Sequence, residues 1–334
     1  MKKNYYLFNP GRMSRKDNTL KFTPVDEDGE AGTPKYLPVE TVKALYCFGS
    51  LDANSALYNF LGKQGIGVHF FDYYEHYTGS FAPKEYLQAG KVHIAQAMHY
   101  TRHGPRMALA RELIEGASFN MLKNLRYYDN RGKDLSFAIE RIEALRAGIP
   151  EAPSIQELMG VEGNIRQAYY QGFDLILDHF RMNGRSKRPP ANEVNALMSF
   201  GNMVCYAHCL DMLYHTQLNP TVSFLHEPGT RRFSLALDLA EIFKPILVDR
   251  LLFRLLNAKM IKAKDFDAKV NSCLLKESGR KIFARAWDEK LKETIQHRKL
   301  KKKVSYGHLV KLECYKLSKH ILDIEPYSPF KAWW

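Results

Sequence analysis

The segments FLHEPG, residues 224–229, and SLALDLAEIF, residues 234–243, decide how the second half of the chain folds. Ser234 is a typical helix-capping residue, and residues 235–253 are predominantly apolar. A helix of such composition is buried on most of its sides. We therefore predict a helix that is capped by Ser234 and lies in the core of its domain, directly after a Pro-Gly loop.

Two carboxylates within this apolar helix require partners. Asp238 and Glu241 are three residues apart, so both project from one face of the helix. Burying such groups is costly unless they pair with cations or coordinate a metal. His226, on the loop just before the helix, lies within reach of that face. Spacing alone leaves two alternatives open: a metal site, or ion pairs with a neighbouring helix beside a structural histidine.

A third acid stands between two glycines. Glu162 lies in the segment MGVEGN, residues 159–164, where small residues let a ligand or another backbone approach closely. One imidazole with two or three carboxylates suits manganese or magnesium better than zinc, and it leaves coordination positions open for phosphate oxygens and water. Such a site polarises a phosphodiester and lowers the pKa of an attacking hydroxyl.

The composition favours a polyanionic partner. The chain has 334 residues, 45% of them hydrophobic, so two domains with cores of their own are expected. It has 49 Lys and Arg against 36 Asp and Glu, and the net charge of +13 favours nucleic acid through counterion release. The five cysteines are odd in number and scattered, and no signal peptide or long apolar stretch occurs. We therefore expect a cytoplasmic protein without membrane contact.

The pattern of apolar residues changes near residue 86. Before it, segments are short, β-branched or aromatic and separated by turn formers, with one helix capped by Ser55 and ended at Gly62. Beyond it, apolar residues recur at three- and four-residue spacing almost to the end. We predict an α+β multidomain chain: a mostly β domain over 1–86 and a larger helical domain over 87–334. Exposed strands of a small β domain tend to pair with a second copy, so a homodimer is expected.

Two groups of basic residues are expected to flank the candidate ligands and to grip phosphates near the scissile bond. The first group lies between the candidate histidine and the acidic helix, and the second lies on a loop after the helix of the third acid. The first consists of Arg231 and Arg232, and the second of Arg185, Lys187 and Arg188. The alternative is that these side chains only pair with surface acids such as Glu227.

Segments spread over the whole chain resemble a known family. They are similar, in order and nearly from end to end, to the CRISPR-associated adaptation integrase, and three of them most resemble the form found in type I-B systems. The general matches are LFNPGRMSRK (7–16), FGSLDAN (48–54), VHFFDYY (68–74), NEVNALM (192–198), FLH (224–226) and LALDLAE (235–241). The matches to the type I-B form are VSY (304–306), KLECYKL (311–317) and YSPF (327–330).

The resemblance implies a fold and a set of site residues. The N-terminal domain would be a β-sandwich-like dimerisation domain, and the C-terminal domain an all-α catalytic domain. Glu162, His226 and Glu241 would be the catalytic residues and the ligands of Mg²⁺ or Mn²⁺, with Asp238 as an auxiliary metal ligand. Lys244 stands where arginine is common in the family.

The resemblance also implies a reaction and partners. The family is an endonuclease and integrase that acquires spacers for antiviral defence. It joins the 3′-hydroxyl of a prespacer to the CRISPR repeat, both in double-stranded DNA, by metal-assisted transesterification. A small ferredoxin-like CRISPR-associated protein bridges two of its dimers. Two other functions stay open: a metal-dependent nuclease that does not integrate DNA, and a nucleic-acid-binding scaffold without chemistry.

Overall fold

The computed structural model describes residues 2–26, 28–83, 89–230, 232–269 and 272–333. The chain divides into two compact units, Met1–Tyr86 and Leu87–Trp334. Strands come first and a largely helical unit follows, so the predicted α+β fold class is confirmed. The dimerisation and catalytic roles predicted for the two units stay predictions.

The described part of the N-terminal unit consists of eight strands, one α-helix and one short 3-10 turn. They are β1 (Lys3–Leu7), β2 (Gly11–Lys16), β3 (Thr19–Pro24), β4 (Lys35–Pro38), the 3-10 turn Val39–Thr41, β5 (Val42–Cys47), β6 (Leu51–Asp52), α1 (Ser55–Lys63), β7 (Gly67–Phe71) and β8 (Tyr77–Phe81).

These strands form two four-stranded sheets, as a β-sandwich-like unit requires. The first sheet has the order β1-β5-β7-β8, with β8 antiparallel to its neighbour, and the second has the order β4-β3-β2-β6. Buried side chains alternate along the strands, as Leu20 and Phe22 do in β3, because successive residues point to opposite faces. Both sheets and α1 contribute to a single apolar core.

Helix α1 begins where the sequence predicted, but with a different cap. Asn54, not Ser55, is the N-cap, and its side chain accepts a hydrogen bond from the backbone N–H of Leu57 at 3.0 Å. Ser55 is the first helical residue. Both are good capping residues, and the extended backbone of Asn54 decides between them.

The described part of the C-terminal unit is mostly helical. Its helices are α2 (Gly90–Thr101), α3 (His103–Asp129), α4 (Ser136–Arg146), α5 (Ile155–Gln171), α6 (Phe173–Ile176), α7 (Glu193–Tyr214), α8 (Ser234–Phe243), a π-helix (Lys244–Asp249), α9 (Arg250–Asn257), the 3-10 turn Ala263–Asp265, α10 (Glu277–Lys292) and α11 (Tyr306–Ile321). Two short hairpins, which an all-α domain would not have, pair β9 (Phe266–Lys269) with β10 (Ser272–Leu275) and β11 (Thr294–Gln296) with β12 (Lys303–Ser305).

Helix α7 occupies the centre of this unit. It contacts α8, α9, α11 and the π-helix, and most of its residues are buried. Cys205 and Cys209 on α7 are buried and form no disulfide, and the other three cysteines are also buried and free. Within the described ranges, the structure contains no helix long and apolar enough to cross a membrane.

Helix α8 is buried as predicted, but both of its ends differ from the prediction. Ser234 is the first helical residue and not the cap; its Oγ lies 3.3 Å from Arg232 Nε. The apolar run then continues through the π-helix into α9 instead of forming one straight helix. Pro245 accounts for this change, because a proline ring displaces the preceding turn and has no backbone N–H to donate.

Candidate metal-binding active site

The three predicted ligands come from three parts of the helical unit. Glu162 lies on α5, His226 on the loop before α8, and Glu241 in the last turn of α8. His226 Nε2 lies 4.0 Å from Glu241 Oε1, and Arg166 forms ion pairs with both glutamates. The side chains of Glu162, His226 and Glu241 are 13%, 21% and 8% exposed. The structure therefore groups the three residues in one cluster that solvent still reaches.

Asp238 fixes the loop that carries His226. Its Oδ2 accepts from the backbone N–H groups of Phe224 (2.7 Å) and Leu225 (3.0 Å). Its Oδ1 accepts from the backbone N–H of His226 (2.9 Å) and from the ring Nδ1 (2.8 Å). Four donors thus occupy a wholly buried carboxylate, and the role of Asp238 as an auxiliary metal ligand stays a prediction. Asp238 orients the imidazole, and a ring that donates from Nδ1 keeps the lone pair of Nε2 for a ligand.

Arg166 lies between the two glutamates. Its Nε donates to Glu162, four residues earlier on α5, and a terminal nitrogen donates to Glu241. Lys244 Nζ lies 2.8 Å from the other carboxylate oxygen of Glu241. Burial by itself would raise the pKa of Glu162, but the charge and hydrogen bond of Arg166, with the charges of Lys244 and His226, lower it. These cations hold Glu162 in the ionised form that a metal requires.

The donor atoms fit a hard divalent cation, because carboxylate oxygens and one imidazole nitrogen suit manganese or magnesium. At present Arg166 takes the place between the carboxylates. Accordingly, no group of three or more His, Cys, Asp or Glu in the described ranges is spaced to hold an ion. A divalent cation held by Glu162 and Glu241 would replace contacts of Arg166, a residue that was not among the predicted site residues. Its position one helical turn after Glu162 predicts that Arg166 contacts that glutamate.

The loop of the second basic group lies close enough to the cluster to interact with its charges. Although Lys187 is exposed, partial desolvation of its ammonium group lowers its pKa, and the positive charges of Arg185, Lys244 and Arg166 lower it further. The pKa of Lys244 is lowered by burial and then by Arg166. Positive charge therefore accumulates beside the glutamates, where a phosphate would reduce the repulsion between the cations.

The residues of this loop differ in their availability to DNA. Arg185 donates to Asn195 Oδ1 at 2.9 Å and to Ser199 Oγ at 3.0 Å, both on α7. It anchors the loop through these bonds, and its predicted contact with phosphate stays a prediction. Lys187 and Arg188 are exposed. The loop thus presents two cations to solvent and uses a third to hold itself in place.

The first basic group is partly used by its own loop. Arg232 donates to the backbone carbonyl of Glu227 and approaches Ser234. The Glu227 carboxylate pairs instead with Arg106, at 2.6 Å. The predicted alternative was pairing with a surface acid such as Glu227. Arg232 contacts the backbone oxygen of Glu227, so its role in DNA binding and that alternative both stay predictions. Arg231, the other predicted member, lies outside the described residues.

Carboxylates, an oriented imidazole and cations that share one surface of a basic protein are typical of an enzyme acting on nucleic acid. Residues 5–289 match the family model described as CRISPR associated protein Cas1. The chain belongs to the Cas1 family. The family and the enzyme class predicted from the sequence, a CRISPR-associated endonuclease, are thereby confirmed.

Relatives match the chain over nearly its whole length. The CRISPR-associated endonuclease Cas1 3 of Thermodesulfovibrio yellowstonii is 47% identical over 333 residues, which cover 99% of this chain and 100% of the relative. A Cas1 protein from Thermotoga maritima has a similar structure, with a TM-score of 0.85, 36% identity and coverage of 98% and 99%. A casposase bound to an integration product shares the fold, with a TM-score of 0.84, 20% identity and coverage of 98% and 93%.

Proposed function

We propose that this chain cleaves and joins DNA strands at the cluster of Glu162, His226 and Glu241, which hold Mg²⁺ or Mn²⁺. The reaction joins the 3′-hydroxyl of a prespacer to the CRISPR repeat, so that a spacer is acquired. The observation that carries the proposal is an imidazole oriented by a buried carboxylate beside two ion-paired glutamates. The net charge of +13 supports DNA as the substrate.

The residues of the chain prepare the site in three ways. Asp238 holds Nδ1 of His226, so Nε2 is the donor atom that faces the glutamates. Arg166 and Lys244 balance the carboxylates and lie where negative charge builds up on a reacting phosphate. A bound divalent cation supplies the polarisation of the phosphodiester and the lowered pKa of the attacking hydroxyl.

The DNA backbone would be held by exposed cations beside the cluster. Lys187, Arg188 and Arg232 are the members of the predicted set whose exposure supports this role. Arg185 is only half-buried and is retained as a proposed contact. Arg231 is retained as a proposed contact from its place in the sequence, between His226 and α8. Contacts to phosphates position a strand without reading its bases, so the affinity they provide should not depend on sequence.

We also propose a homodimer that pairs through the N-terminal unit. Strand β4 is at the edge of its sheet and carries Tyr36, whose side chain is 49% exposed with Lys16 Nζ 5.4 Å from its ring. An exposed aromatic edge is a surface that another strand can cover. Two such dimers would bind the small ferredoxin-like partner and double-stranded DNA. The type I-B form stays a prediction, and five unpaired cysteines support a reducing compartment such as the cytoplasm.

The dimer proposal is tested on the full chain by sedimentation velocity. Tyr36→Lys places a charge at the sheet edge and should shift the protein to monomer. Tyr73→Lys, at a side chain that is 80% exposed between β7 and β8, is the control and should stay dimeric. A dimer that is unaffected by Tyr36→Lys would place the interface elsewhere.

The catalytic proposal is tested with a labelled prespacer duplex and a plasmid that carries the repeat, with and without Mn²⁺. Wild type should give a labelled joined product only with metal. Glu162→Gln, His226→Ala and Glu241→Gln should give none, whereas Glu143→Gln, which changes an exposed acid paired with Arg126, should act as wild type. Release of fragments without joining would support the nuclease alternative. Undiminished joining by the Glu162 or His226 variant would sink the proposal.

A further inference from the structure

Glu241 stands immediately before a change in helix type. Helix α8 ends at Phe243, and the next six residues, Lys244–Asp249, form the π-helix. Pro245 has no backbone N–H and cannot donate the hydrogen bond that would continue α8. Short π-helical insertions are frequent at functional sites. The position of Glu241 therefore depends on what holds this break.

Two asparagines of α3 bind backbone carbonyls on both sides of the break. Asn120 Nδ2 donates to the carbonyl of Ile242 at 3.0 Å, and Asn124 Nδ2 donates to the carbonyl of Pro245 at 2.6 Å. The asparagines are one helical turn apart and fully buried, so both amides face the break from one side of α3. Each carbonyl belongs to the residue directly after a charged residue of the site.

The C-terminal segment of the chain joins the same network. Asn120 Nδ2 also donates to the carbonyl of Phe330 at 3.0 Å, and Asn120 Oδ1 accepts from the N–H of Ala332 at 2.9 Å. The ring of Phe330 stacks on Phe243, with 5.7 Å between centroids. Glu313 accepts the N–H of Phe330 at 3.1 Å and so holds this segment against the domain. One amide thus links the end of the chain to the last turn of α8.

Asn124 links the break to the helix that carries the other glutamate. Its Nδ2 also donates to the hydroxyl of Tyr169 at 2.9 Å, and that hydroxyl donates to Asp249 Oδ2 at 3.1 Å. Tyr169 lies on α5, two turns after Glu162, and Asp249 ends the π-helix. The network therefore touches both elements whose carboxylates must face each other.

We infer that Asn120 and Asn124 are positioning residues of the active site, and that the C-terminal segment acts with them by holding Asn120. The inference rests on the proposed function. Neither asparagine contacts a proposed ligand side chain; each acts through the backbone of α8 and the π-helix. Loss of the amide removes a buried hydrogen bond to the backbone beside Glu241 or Lys244, so the backbone there relaxes and the carboxylate leaves its place.

The test measures Mn²⁺ affinity of the full chain by electron paramagnetic resonance of the free ion. Asn120→Leu and Asn124→Leu keep the branched shape of the side chain and remove its hydrogen bonds. Affinity should fall by about ten-fold or more, as it does when residues that orient metal ligands are changed. Asn257→Leu is the control, because Asn257 Nδ2 makes the same kind of bond to the carbonyl of Ile176 at 2.9 Å on α6, away from the site.

A second readout, amide hydrogen exchange without metal, separates this inference from the proposed function. Faster exchange confined to residues 240–247 in the Asn120 and Asn124 variants supports it, whatever Glu241→Gln does to Mn²⁺ binding. Unchanged Mn²⁺ affinity in Glu241→Gln overturns the proposed function alone. Wild-type exchange at 240–247, or an equal loss of affinity in Asn257→Leu, overturns the inference. If the Asn120 variant does not fold, Phe330→Ala, which keeps both asparagines, should give the same two changes.

Discussion

Asp238 and Glu241 lie three residues apart on one buried helix, yet their partners are of opposite kinds. Asp238 accepts hydrogen bonds from three consecutive backbone N–H groups and one imidazole. Glu241 is held by the side chains of Arg166 and Lys244. Backbone donors leave a carboxylate only if the loop unfolds, whereas side-chain cations can change partners by rotation. This difference favours Glu241 over Asp238 as a metal ligand.

The largest expected effect separates these two carboxylates. Glu241→Gln should reduce the rate of strand joining at least about a thousand-fold, roughly 4 kcal/mol of transition-state stabilisation. In Asp238→Asn the side-chain NH2 group faces backbone N–H groups and cannot accept their hydrogen bonds. The free energy of unfolding should therefore fall by about 2 to 3 kcal/mol. Joining rates and urea unfolding measure both. Abolished joining at unchanged stability in Asp238→Asn would make Asp238 a ligand after all.

The fold could be predicted where the spacing of apolar residues alone indicates which residues are buried. Apolar periodicity predicted the order of the two units and the burial of residues 234–243 because it depends on local spacing alone. It did not predict the hairpins β9–β10 and β11–β12, whose strands are only three or four residues long. Nor did it predict the break after Phe243, because Pro245 stands within an otherwise continuous apolar run.

The site could be predicted in its residue types but not in its pairings. Spacing placed Asp238 and Glu241 on one face, but it cannot assign donors that come from elsewhere in the chain, such as Arg166 for Glu241. For the same reason, spacing did not predict that Arg185 binds α7 through Asn195. Hydrogen-bond partners distant in sequence are set by packing, which composition and periodicity do not encode.

The second expected effect tests whether a metal can do what Arg166 does. Arg166→Gln leaves Glu162 and Glu241 without the cation between them, so the free energy of unfolding should fall by about 3 kcal/mol. Added Mn²⁺ should restore more stability to this variant than to wild type, because it supplies the missing charge. Arg126→Gln, which breaks an exposed pair with Glu143, should cost less than about 1 kcal/mol and gain nothing from Mn²⁺. If Mn²⁺ stabilised both variants equally, the idea that a metal can replace Arg166 beside Glu241 would be wrong.

A third buried carboxylate, Asp249, sharpens the comparison through pH. Burial raises its pKa from 3.8 to about 7, against the opposing effects of the Tyr169 hydrogen bond and nearby cations. Between these values the unfolded chain has lost the proton and the folded chain keeps it, so stability falls as pH rises and levels off above about 7. Asp249→Asn removes this dependence.

Unfolding in urea at pH 5 and pH 8 measures the effect of Asp249→Asn. From pH 5 to pH 8 the free energy of unfolding of the variant should rise by about 2 to 3 kcal/mol relative to that of wild type. The size follows from the roughly two pH units between pH 5 and the pKa in the folded protein. Asp267→Asn, at an acid that is 47% exposed, is the control and should run parallel to wild type. If the stability of Asp249→Asn changed with pH in parallel with that of wild type, the Asp249 carboxyl of the wild type would already be ionised at pH 5. It would then be held by cations, as Glu241 is.

The smallest expected effect extends the comparison from acids to cations. Lys187 is exposed beside the cluster, whereas Arg185 is committed to Asn195 and Ser199. If Lys187 meets one phosphate, Lys187→Ala should reduce the slope of log affinity against log salt by about 0.9 for duplex DNA. The loss should be similar for unrelated sequences, because a phosphate contact carries no base information. Fluorescence anisotropy across a salt series gives the slope.

Arg185→Ala should behave in the opposite way. It removes the bonds that hold the loop to α7, so the free energy of unfolding should fall by about 1 to 3 kcal/mol, while the salt slope changes only as far as the loop moves. Replacing Arg185, which is bound to α7, should therefore lower the free energy of unfolding, whereas replacing the exposed Lys187 should lower the salt dependence of DNA binding. The same contrast between a residue held by the fold and one free to change partners distinguishes Asp238 from Glu241. A full unit of slope lost in Arg185→Ala, with none lost in Lys187→Ala, would mean that DNA draws Arg185 away from α7 and that its bonds there are the exchangeable ones.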